Sequence, residues 1–71
     1  MANDRLESKI GRVTGRIAPG AVGEVRLPYN GGTETFNAYA WEDGEVIEVG
    51  AEIVVIDRVG PRTVKVSRFS Y

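Results

Sequence analysis

Apolar residues recur at every second position through most of this chain, and glycine or proline interrupts each run. That is the period of a strand with one buried face. Five strands are read in this way, over residues 11–17, 24–27, 33–41, 52–58 and 62–67. Val13, Val25, Leu27, Phe36, Ala38, Ile53, Val55, Val64 and Val66 form the inward set and are expected to share one core. Breaks fall at Ala18-Pro19-Gly20 and Gly23, at Asn30-Gly31-Gly32 and at Val59-Gly60-Pro61. Proline fixes φ and glycine tolerates φ above zero, so each break is a turn, and Asn-Gly is a strong hairpin signal. No helix is predicted beyond a single turn near residues 5–10, because 44–50 is short and rich in β-branched residues.

The fourth segment departs from strict alternation. Ile53-Val54-Val55-Ile56 is apolar on both faces, as expected of a strand enclosed on both sides or bent around a small barrel. Gly50 precedes it, where close backbone approach is expected, and Gly60 stands at the following turn. Closing the sheet removes edges that would otherwise pair with other chains. The expected architecture is therefore all-β: a small five-stranded antiparallel barrel of OB type with no substantial helix.

Composition sharpens the picture mostly by exclusion. Seventy-one residues make one domain, and a chain this small buries only about 60% of the surface its unfolded form exposes. With no cysteine there is no disulfide framework or thiolate metal site, and with no histidine the commonest metal ligand and general base are missing. The formal net charge of -1 gives no overall attraction to nucleic acid. The longest apolar run is far short of the roughly 20 residues that span a bilayer, and the acidic start lacks the apolar core of a signal peptide.

Several segments together resemble one family. They are Gly-Arg-Val-Thr-Gly-Arg-Ile-Ala-Pro-Gly at 11–20, Gly-Glu-Val at 23–25, Phe-Asn-Ala at 36–38, Ile-Glu-Val-Gly-Ala-Glu-Ile-Val-Val at 47–55 and Val-Gly-Pro-Arg-Thr-Val-Lys-Val at 59–66. Their order and spacing resemble the C-terminal domain of NfeD-like proteins, from residue 10 to about residue 69. The resemblance implies a five-stranded OB-type barrel without the helix that many OB-folds carry between strands three and four. It also implies an interaction or assembly module for stomatin-, prohibitin- or flotillin-like membrane proteins. Family members place this domain after membrane-spanning helices, and longer ones add a serine protease domain upstream. Residues 1–9 are accordingly expected to be an N-terminal extension or linker and 10–69 the barrel. The chain itself is expected not to enter the membrane; it would be a soluble, cytoplasmic domain, membrane-associated only through a parent protein.

The candidate chemistry is sparse. Glu42, Asp43, Glu45, Glu48 and Glu52 crowd the connection between the third and fourth strands but lack the calcium-loop spacing, and a run of this kind is ordinarily a solvated face. Ser8, Ser67 and Ser70 have no histidine to activate them and only Lys9 or Lys65 as a substitute, which argues against nucleophilic catalysis. Asn30-Gly31-Gly32 lacks the Gly-Lys-Ser/Thr of a phosphate loop. No enzyme activity, metal or cofactor is expected.

The outer face carries more. Alternation puts Tyr39 and Trp41 outward on the third strand, where they either anchor a partner or pack on the stems of Arg12 or Arg26. Arg58, Arg62, Lys65 and Arg68 gather about the last turn and strand. On an OB barrel, aromatic and basic residues can stack on bases and follow phosphates, so single-stranded nucleic-acid binding is the alternative function. Tyr and Trp are equally the side chains of protein-binding hot spots, and the acidic loop beside them suits a protein better than a polyanion. The expected partner-binding residues are Tyr39, Trp41, Arg58 and Arg62.

Overall fold

A computed structural model describes residues 6–69. Five strands are present: β1 (Ile10–Gly15), β2 (Gly23–Tyr29), β3 (Gly32–Ala40), β4 (Glu52–Gly60) and β5 (Thr63–Arg68). They close into a barrel in the order β1-β2-β3-β5-β4, with β4 returning to β1. No helix occurs among the described residues. The barrel is thus OB-like, as expected, but it is not wholly antiparallel: β3 and β5 run parallel, with Ala38 opposite Val64 and Ala40 opposite Val66. The reason is one of parity. Strand direction cannot alternate all the way round a ring of five, so at least one neighbouring pair must be parallel.

The β2–β3 hairpin turns at Asn30 and Gly31, both with positive φ (59° and 83°), as the primed hairpin turns demand. Gly50 also has positive φ (95°), but a Cβ there would meet nothing within 4 Å. Its glycine serves the backbone angle rather than the close approach expected of it. Close approach belongs to Gly11, where a Cβ would collide with the Arg26 carbonyl oxygen and the Leu27 side chain as β1 crosses β2.

All nine expected core residues are buried together, joined by Leu6, Ile17 and Ile47. Ile17 and Ile47 form an isolated bridge, each amide donating to the other's carbonyl (3.0 and 2.9 Å), which ties the β1–β2 connection to the β3–β4 connection. Leu6 is fully buried, and the Ser8 amide donates to the Val55 carbonyl at 2.8 Å. Packing therefore continues across the expected boundary between residues 9 and 10. Residues 1–5 of the expected extension, and Ser70, lie outside the described residues.

Candidate functional site

β3 presents its side chains by strict alternation. Phe36 and Ala38 face the core, and Tyr39 and Trp41 emerge 45% and 48% exposed. Pairing places Lys65 of β5 opposite Tyr39, and the Lys65 ammonium lies 6.0 Å from the centre of the Trp41 ring, at the outer limit of a cation–π contact. Across strands, Arg26 faces Thr35 rather than Tyr39, and Arg12 is paired on β2 and β4. Neither arginine is the strand neighbour of the aromatic pair.

The sheet register extends this surface well beyond the two aromatics. Ile10 of β1 lies opposite Val54 of β4, and Val54 lies opposite Ser67 of β5. The Trp41 amide donates to the Val66 carbonyl at 2.7 Å, so Trp41 stands next to Ser67. Ile10, Val54, Ser67 and Trp41 consequently form one outward row across β1, β4, β5 and the residue that follows β3. Phe69, whose amide donates to the Glu52 carbonyl, flanks the row. Ile56 is the extra residue of a bulge in β4. Ile10 and Phe69 are 42% and 45% exposed, and Ile56 is also open to solvent. The result is an outward row of apolar side chains bordered by Lys65 and Asp57 on one side and by Arg12 and Glu52 on the other, and exposed apolar surface of this kind can mark an interaction site.

A groove of about 390 Å³ borders this face, lined by Pro19, Tyr39, Glu42, Asp43, Glu45 and Lys65. One Glu45 oxygen, Oε1, is buried without a hydrogen-bond partner among the described residues, while Oε2 lies 3.9 Å from Arg68 Nε.

Arg58 and Arg62 sit elsewhere. Arg58 donates to the carbonyls of Gly60 (3.1 Å) and Pro61 (2.8 Å), closing the β4–β5 turn. Arg62 pairs with Glu34 at 3.1 Å, donates to the Thr35 carbonyl at 2.7 Å, and lies 4.9 Å from the centre of the Phe36 ring. Thr35 is six residues from Trp41, which directly follows the last residue of β3, roughly 20 Å at strand rise. The two arginines thus lie together at the opposite end of the strand from Trp41, and their donors are engaged within the chain.

Among the described residues no group of three or more carboxylates is placed to hold a metal ion, and no helix is long and apolar enough to cross a membrane. Ser8 and Ser67 belong to opposite sides of the β4 pairing, Ser8 bonded at Val55 and Ser67 opposite Val54.

A family model described as the NfeD C-terminal domain matches residues 10–67. Among solved structures, the chain is similar to the solution structure of the soluble domain of the NfeD protein YuaF from Bacillus subtilis. The two share 25% identity with a TM-score of 0.78, over 96% of this chain and 79% of that one. No curated protein matches the chain.

Proposed function

This chain belongs to the family of NfeD C-terminal domains, and on that premise we propose that it is a non-catalytic docking domain for a membrane-associated protein of stomatin, prohibitin or flotillin type. The docking surface is the outer face of β3, β5 and β4, centred on Tyr39 and Trp41 and extended by Ile10, Val54 and Phe69. The observation that carries this reading is the cross-strand row, which sets several half-exposed apolar side chains on one rigid surface. Apolar and aromatic anchors on a preorganised sheet are what protein hot spots use. In this reading the folded unit spans residues 10–69 together with Leu6, works on the cytoplasmic side, and is brought to the membrane through its parent protein. Arg58 and Arg62 hold the end of the barrel rather than the partner.

Nucleic-acid binding through the same barrel is the weaker reading. Arg58 and Arg62 already donate within the chain, and Glu42 and Asp43 line the groove beside the aromatic pair.

The test is capture by purified stomatin-, prohibitin- and flotillin-type baits. Replacing Tyr39 and Trp41 together by Ser is expected to keep the melting temperature within a few degrees and to abolish capture. Capture unchanged in the double variant would place the interface elsewhere, and loss of fold with loss of capture would make the pair structural. Mixed single-stranded oligonucleotides at physiological salt are expected to bind more weakly than the roughly 10⁻⁴ to 10⁻⁶ M of non-specific binders. A salt-sensitive micromolar affinity would reverse the ranking.

A further inference from the structure

A second groove, again of about 390 Å³, lies over β1 and β2 and is lined by Arg12, Thr14, Arg26, Pro28, Thr33 and Glu52. Arg12 and Arg26 are directly opposite each other in the β1–β2 ladder, a placement that like charges disfavour. Arg12 is drawn aside: it donates to the Gly50 carbonyl at 2.9 Å and lies 3.8 Å from the Glu52 carboxylate. Glu24, next on the same face, accepts from the Thr14 hydroxyl at 3.0 Å. Arg16, Arg58, Arg62 and Arg68 likewise each donate to an acceptor within the chain. Arg26 alone among the described arginines has no such acceptor, and it stands exposed beside a second guanidinium.

The same chain carries the complementary charge. Glu42 and Asp43 are exposed at the rim of the other groove, and their carboxylates form no ion pair among the described residues. They stand apart from Arg26 of their own molecule, because Arg26 faces Thr35 whereas Glu42 and Asp43 follow the far end of β3, and the two groups line different grooves. A net charge of -1 leaves little overall repulsion between copies.

We propose that the Arg26 groove receives the Glu42–Asp43 rim of a second copy of this chain, so that copies associate head to tail. The contact joins two different surfaces, and each added copy leaves a free groove at one end and a free acidic rim at the other. Such heterologous contacts grow into rings or open chains rather than closing as a two-fold dimer. The acidic rim adjoins the apolar face at Tyr39 and the Arg26 groove adjoins it at Ile10, so the head-to-tail contact borders the docking surface, and Arg26 itself lies outside the Tyr39–Trp41 pair.

Sedimentation velocity tests this directly. At low ionic strength the average mass is expected to rise with concentration through a ladder of species. It should return to the monomer near 1 M salt, where the screening length falls to about 3 Å. R26E and the double variant E42R/D43R, each melting as the wild type does, are both expected to stay monomeric. Their equimolar mixture is expected to associate, because the intact acidic rim of R26E fits the intact groove of the other variant and the two reversed surfaces fit each other. A wild-type chain that stays monomeric to about millimolar concentration, an R26E variant that associates as the wild type does, or a mixture that shows no rescue would each overturn the proposal. R26E, which leaves Tyr39 and Trp41 intact, is expected to capture the docking partner normally. Self-association lost in the double-Ser variant but kept in R26E would move the contact to the apolar face and overturn the head-to-tail arrangement.

Discussion

Phe36 shows how one side chain can close an end of the barrel. It is almost wholly buried, and Tyr29 meets its ring edge-on at 5.5 Å between centroids and 85° between planes. The Arg62 guanidinium covers it, held in turn by Glu34 and the Thr35 carbonyl. An isolated surface ion pair of this kind adds little stability, but here it fixes the guanidinium over an aromatic face, where a cation is favoured. Replacing Phe36 by Ala should cost about 3 to 5 kcal/mol. A domain this small sits near the low end of about 5 to 15 kcal/mol of total stability. The expected outcome by thermal or urea melting is a largely unfolded chain, whereas a cooperative melt close to wild type would remove Phe36 from this role. Alternation alone assigned Phe36 inward; that Arg62 would cover it depended on β5 returning beside β3.

Between residues and the whole barrel stand the connections. The β3–β4 connection is too short for a helix, and the barrel is closed there by one buried side chain instead. Ile47 is completely buried and is locked to Ile17 by reciprocal backbone bonds. Its sequence surroundings, alternating acids and valines, gave no periodic reason to set it apart from exposed Val49. Replacing Ile47 by Ala should cost about 2 to 5 kcal/mol, while Val49 to Ala should change the melting temperature little, since Val49 is mostly exposed. Equal effects would mean that the connection does not plug the barrel. β4 makes a related point. Its pairing with β5 shifts between Val55 and Asp57 and again between Arg58 and Gly60, and bulges redirect the side chains they insert. Alternation from buried Ile53 and Val55 already turns Ile56 outward with Val54, and the bulge at Ile56 keeps Asp57 outward as well, opposite Lys65.

At the scale of the whole molecule, the N-terminal segment belongs to the fold from Leu6 onward. A chain beginning at residue 10 loses a fully buried leucine, worth about 2 to 5 kcal/mol if it behaves as a core truncation. In a domain of this size that is a fall of about 8 °C or more in melting temperature; no change would restore the boundary at residue 10. The sequence by itself determined the strand segments, the inward residues and the outward pair Tyr39 and Trp41, because all of these follow from period-two alternation and from turn residues a few positions apart. It also held, unread, the need for one parallel pair, since five strands cannot alternate around a ring. Only the tertiary structure decided which strands became neighbours. The β1–β4 and β3–β5 pairings join segments separated by about half the chain or by an entire intervening strand, and no local pattern encodes such a register. Those two pairings set Ile10, Val54 and Ser67 in line with Trp41, and they carried Arg58 and Arg62 to the other end of β3. The outward direction of a side chain is thus a local property of the backbone, whereas the surface it helps to form depends on the closure of the barrel.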